Sequence, residues 1–220
     1  GSWSLTGHSA EELSKKFTEM QDDSEVTAGF MWQKTTRESK KYQLRGEILS
    51  FIPVDKNVEI MLVTITNTGR MAQTVTPTAA IPLYGRSADN IRDHRHVTSL
   101  LHRIETTDIG VLVTPTLSFD ERGHQVNHMT YYCVGWSGNG EKPVDFYPTA
   151  EDFVGEGGNF ERPYAIVKNA EGVKAGTKIE GLEAVGGLHF SEITLEPEEE
   201  CSYLIFTGIT EDIQEIRNLS

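Results

Sequence analysis

The sequence predicts an all-β, mainly antiparallel fold: one large sandwich domain with short helices near both ends. Three observations carry this expectation. β-Branched and aromatic residues alternate along about eight segments, turn residues recur roughly every ten positions, and no alternating βαβ pattern appears.

Taken in order, the first element is a helix over 9–20. Ser9 with Glu12 three residues later forms a capping box, and Leu13, Phe17 and Met20 recur at helical spacing. Strands follow at 42–52 and 58–66. The second runs into Asn67-Thr68-Gly69-Arg70, a turn in which Asn and Gly accept positive φ, and another strand begins at Ala72. Residues 99–106, 110–119, 126–136, 188–195 and 201–209 alternate in the same way, with Asp120 to His124 as a hairpin loop. The stretch 137–187 is different. It is rich in Gly and poor in strand formers, and it reads as irregular loops on a rigid scaffold, where binding often occurs. A closing helix is expected over 210–219, with a Thr210 cap, acids in its first turn and a stripe of Ile213, Ile216 and Leu219.

Charge narrows the function classes. Thirty-three acidic against 20 basic residues leave a net charge of −13 over 220 residues. Such a chain has no general attraction for nucleic acid or for an anionic membrane surface, because both need clustered Lys and Arg. No apolar run approaches the roughly 20 residues that cross a bilayer. Cys133 and Cys201 sit among Tyr, Val and Leu, and are too few for a disulfide framework. They read as reduced core residues, which points to a cytoplasmic protein.

The sharpest local feature is a basic island from Arg86 to Arg103. It holds four Arg and three His in 18 residues, among them Arg86, Arg92, Asp93, His94, Arg95 and His96. Guanidinium forks suit carboxylate, phosphate or paired sugar hydroxyls. The competing reading, pairing with the chain's own acids or with an interdomain surface, weighs more. On a strand, His94 and His96 share a side, and His124 and His128 would do so on a helix. Neither pair has third and fourth ligands at familiar spacing, so no metal site is assigned. Gly155-Glu-Gly-Gly158 lacks the Lys-Ser/Thr ending of a phosphate loop, and no Gly-x-Ser-x-Gly elbow appears. No catalytic residue is assigned.

Several segments in order resemble the amino-terminal domain of glycoside hydrolase family 94, the inverting disaccharide and oligosaccharide phosphorylases. They are Trp3-Ser4, Phe51-Ile-Pro53, Val58-Glu59-Ile60, Val63 to Thr68, Asp93 to His96, and Glu151 to Pro163. The wording from Arg86 to His96 departs from the cellobiose-type pattern and is similar to the branch acting on 1,2-linked β-glucans. The resemblance implies a galactose mutarotase-like β-supersandwich over 1–209, with 210–220 starting a helical linker to an (α/α)6 barrel. It implies a parent enzyme in which inorganic phosphate is co-substrate and a β-glucan oligosaccharide is cleaved with inversion, with the catalytic acid on the barrel and no other cofactor. This domain's implied roles are structure, homodimerisation and enclosure of the active site. The basic island, with Trp136, Glu156 and Arg162 as loop candidates, would contact substrate or interface. Two other classes compete. One is a free-standing carbohydrate-binding module, using Trp32, Trp136, Tyr131, Tyr132, Phe146 or Tyr147 as a platform, although alternation places several of these in the core. The other is a mutarotase-like enzyme, which needs a His and a carboxylate around one cleft.

Overall fold

The computed structural model describes residues 1–85, 98–120 and 123–219, and it is an all-antiparallel arrangement of two unequal sheets. Alternation along the strands decides which residues meet between them. The large sheet has nine strands, in the order β1 (Asp23–Gly29), β2 (Trp32–Ser39), β3 (Leu44–Phe51), β4 (Val58–Asn67), β16 (Glu200–Thr210), β11 (Thr130–Ser137), β8 (Gly110–Val113), β7 (Arg103–Thr106) and β13 (Lys178–Glu180). The smaller sheet runs β12 (Asp145–Thr149), β14 (Ala184–His189), β6 (Thr78–Leu83). Two further pairs, β5 (Gln73–Val75) with β15 (Ile193–Leu195) and β9 (Leu117–Asp120) with β10 (Gly123–Val126), complete the strands among the described residues.

The small sheet lies on the β11–β8–β7 part of the large one. Val111, Val113 and Cys133 project into one core with Phe146, Leu188 and Ala184. Their chain neighbours Leu112, Tyr132 and Val134 point the other way, into a second cluster. Full burial of side chains such as Phe146 and Leu188 is worth about 1.5–3 kcal/mol each. The two sheets approach closely at Gly186, where an added Cβ would lie 2.2 Å from the Cβ of Cys133. Both cysteines are free, and Cys133 is fully buried, so burial pushes its thiol up to about 12.

Four short helices finish the described layers. The capping box of the first is realised: Glu12 N–H donates to Ser9 Oγ at 3.2 Å. Yet α1 (Ala10–Ser14) stops well before residue 20, because Phe17 turns into the left-handed region at φ 67°. Leu13, Phe17 and Met20, expected to be a buried stripe, are all exposed. At the other end, α4 (Ile213–Arg217) is capped by Asp212, not by Thr210, which closes β16 and donates its hydroxyl to Glu215. Ile216 seals the outer face of the large sheet.

The stretch 137–187 is not the irregular loop that its glycines implied. It contains β12, all five residues of which are buried, α2 (Ala150–Val154), α3 (Tyr164–Lys168), β13 and most of β14. Tyr147, Phe153 and Ala165 form a third cluster that fastens α2 and α3 to the small sheet. Predicted strands also subdivide: 110–119 becomes β8 and β9, and 188–195 becomes the end of β14 and β15.

Candidate functional site

A groove lies where α2 and α3 pack over the small sheet. Thr149 caps α2, its hydroxyl accepting from Asp152 N–H at 3.0 Å, and this sets Glu151 and Asp152 at the helix start. The chain then turns at Gly155, which has φ 79°, and returns through Pro163 into α3. Between them lies an open groove of about 350 Å³, walled by Tyr147, Tyr164, Glu151, Asp152, Glu156 and Glu171. That volume falls in the range of small-ligand sites. Aromatic faces and carboxylates together suit polyhydroxylated ligands, the ring stacking on the apolar face of a sugar while the carboxylates accept from its hydroxyls.

Behind the groove floor stands a polar trio that sequence reasoning missed. Asp145 and His189 are register partners on β12 and β14, and Nδ1 of the histidine lies 2.7 Å from Oδ1 of the buried carboxylate. A carboxylate only accepts at this contact, so Nδ1 carries a proton. The Tyr147 hydroxyl donates to Ala170 O at 2.6 Å. Burial, and then the nearby Asp145 charge, push its pKa up to about 12, so it remains a neutral donor. Only Tyr147 of the three lines the groove; His189 and Asp145 support it from the side.

A second concavity is narrower and holds about 20 Å³, room for a water and not for a sugar. Its lining includes the buried His102, whose Nδ1 is 3.0 Å from Leu182 O, and burial lowers the pKa of that ring.

The expected site residues fare unequally. Arg86, Arg92, Asp93, His94, Arg95 and His96 lie outside the described residues. At the edge of the island, Arg103 binds its own domain: it donates to Leu100 O and His102 O and lies 3.5 Å from Glu180. Trp136 packs edge-on against Phe206 with ring centroids 5.6 Å apart, beside the cluster that includes Ile216. Glu156 is exposed on the groove wall. Arg162 is exposed next to α3 and does not line the groove; its backbone N–H donates to Asn159 Oδ1 at 3.0 Å. Of the expected platform aromatics, Tyr132, Phe146 and Tyr147 are core, and Trp32 is 42% exposed far along the large sheet. His124 sits on strand β10, which removes the helical spacing that would have aligned it with His128. Among the described residues, no group of three or more His, Cys, Asp or Glu is placed to hold a metal ion.

Two packed antiparallel sheets, flanked by short helices and carrying a groove on the smaller one, define a β-supersandwich. The chain belongs to glycosyl hydrolase family 94: the family model described as "Glycosyl hydrolase 94, supersandwich domain" matches residues 2–220. No curated protein matches the sequence. A solved structure named "Putative kojibiose phosphorylase from human microbiome" is similar over 86% of this chain, at 10% identity and a TM-score of 0.43. The match spans 19% of that structure's own chain, and a likeness of this size supports no statement about activity. No helix among the described residues is long and apolar enough to cross a membrane.

Proposed function

We propose that this chain is the non-catalytic supersandwich domain of an inverting glycoside phosphorylase. The observation that carries the reading is the family match over residues 2–220. In this reading, residues 1–209 are the sandwich and 210–220 start a linker to an (α/α)6 barrel that holds the catalytic acid. The domain stiffens that barrel, takes part in a homodimer and helps to enclose the active site. The parent enzyme is cytoplasmic and cleaves a β-linked gluco-oligosaccharide, 1,2-linked in the closest branch, with inorganic phosphate as co-substrate. The product is an α-sugar 1-phosphate. The basic island Arg86–Arg103 supports this reading, since phosphate and the sugar phosphate are anions. The test is to incubate the chain with 1,2-β-gluco-oligosaccharides and phosphate, alone and fused to the barrel of a family member. Sugar 1-phosphate from the fusion and none from the chain alone is the expected result. Product from the chain alone, or an inactive but folded fusion, would sink the proposal.

A second reading is favoured by the groove itself. Tyr164, 51% exposed, and the carboxylates beside it make an accessible surface for a saccharide even without a barrel. Isothermal calorimetry of the chain with the same oligosaccharides decides: heat of binding that Tyr164→Ala abolishes supports a carbohydrate-binding role. No heat at millimolar sugar removes it.

A further inference from the structure

The large sheet ends at β1, and that edge is open along its whole length. All seven residues of Asp23–Gly29 are exposed, and among the described residues β2 is the one strand beside it. The phase of the ladder identifies the backbone groups that face outward. Ile52 N–H donates to Met31 O at 3.0 Å, so Met31 and the odd-numbered residues of β2 direct their backbone groups to β3. The even-numbered residues Trp32, Lys34, Thr36 and Glu38 therefore direct theirs to β1, where their register partners are Gly29, Thr27, Glu25 and Asp23. The N–H and C=O groups of Ser24, Val26 and Ala28 remain, and they point away from the sheet. Such a row is a template for another strand.

The opposite edge of the same sheet shows what protection looks like. There β13 is three residues long, and two of them, Lys178 and Glu180, are charged. By contrast, β1 carries no Pro, no Lys and no break in its register with β2.

Its residues also select the partner. In antiparallel self-pairing, outward-facing residues must oppose outward-facing residues, so the two-fold axis has to pass through a residue pair. An axis at Glu25 sets the two Glu25 side chains against each other, and one at Ser24 sets Asp23 against Glu25. Both place like charges opposite one another. An axis at Thr27 runs Asp23 into the turn residue Met31. At Val26, the midpoint of the strand, all seven residues find partners: Asp23 opposes Gly29, Ser24 opposes Ala28, and Glu25 opposes Thr27. The axial pair is then Val26 against Val26, a β-branched side chain that is 64% exposed in the single chain.

We infer that β1 is a homotypic docking edge, whose occupant is β1 of a second copy in the register centred on Val26. It joins two nine-stranded sheets into one continuous sheet across a two-fold axis. The inference supplies a surface for the homodimer of the preceding section but stands on the backbone phase and the charges of this strand alone.

Sedimentation of the 220-residue chain over a concentration series tests it. The wild type is expected to form a dimer. Val26→Lys and Val26→Glu should each weaken that dimer by about tenfold or more, because each places like charges across the axis. An equimolar mixture of the two should recover it, since Lys then faces Glu. Val26→Pro removes the central outward N–H while the β1–β2 bonds stay intact, and should also dissociate the dimer. Circular dichroism checks that every variant is folded. A wild type that stays monomeric overturns the inference and leaves this edge to a different chain. A dimer that persists in all three variants also overturns it, while leaving dimerisation to another surface. Dissociated variants whose mixture does not recover would overturn the Val26-centred register.

Discussion

His189 and Asp145 meet across β14 and β12 with 2.7 Å between Nδ1 and Oδ1, and this pair ties two strands of the small sheet together beside the groove residue Tyr147. Asp145 is 4% exposed, and Lys174 Nζ lies 3.9 Å away. A buried carboxylate that loses its close partner bears the cost of its own desolvation. His189→Ala should destabilise the chain by about 1–3 kcal/mol in urea unfolding. The double variant His189→Leu/Asp145→Leu should recover part of that loss, since no buried charge remains. Equal stability of wild type and His189→Ala would mean that the pair contributes nothing to the fold.

Gly186 is a point of close approach between the two sheets. A methyl group there would lie 2.2 Å from Cys133 Cβ and 2.8 Å from its Sγ. Gly186→Ala is therefore expected to cost about 1–3 kcal/mol through overpacking, read as a fall in calorimetric Tm. Cys133→Gly removes the clashing atoms. The two changes together should show a favourable coupling in a double-mutant cycle, and additive effects would contradict the contact.

Acid should loosen the amino-terminal strap, the segment of α1 and the turns leading to β1, before the core. Glu11 receives Lys15 Nζ at 2.8 Å, Lys41 Nζ at 2.6 Å and the Tyr42 hydroxyl at 3.1 Å. These partners, Lys15 first, hold its carboxyl at about 2 against an ordinary value of 4.5. The folded value is depressed, so the stabilisation is complete above pH 4.5 and disappears as pH falls through about 2. A carboxyl-carbon NMR titration should place the Glu11 midpoint near the lower value. A midpoint at or above 4 would dissolve the cluster. In Glu11→Gln, the strap should exchange its amides faster at pH 7 and lose its acid-dependent change.

The two thiols should differ in reactivity. Cys133 is 0% exposed with its pKa pushed up to about 12, whereas Cys201 is partly exposed, its thiol also raised by burial. At pH 8, a maleimide should label Cys201 in the native chain and reach Cys133 only in urea. Rapid native labelling of Cys133 would mean that the sandwich opens locally at β11.

How far the sequence carried can be judged strand by strand. The segments 58–66 and 201–209, and 130–136 of the expected strand 126–136, were legible because one or both faces are buried, which imposes alternation on apolar side chains. The ribbon β1–β2 left no such trace. Asp23 to Gly29 is exposed on both faces, so nothing required a period of two. Gly186 and Gly187 marked β14 as loop by composition, although the glycines are there because neighbouring strands leave no space for a Cβ. The helix over 9–20 failed for a third reason. Its apolar stripe has no surface to cover it, and an isolated helix of that length is marginal without tertiary packing.

The sequence by itself determined the all-β class, the family over residues 2–220 and the positions of the long central strands. Burial imprints these on local spacing. Only the tertiary structure brought Asp145 to His189 and set Tyr147 against the carboxylates of α2. Cross-strand register and layer stacking join residues that are far apart in the chain, and no local pattern records which strands become neighbours.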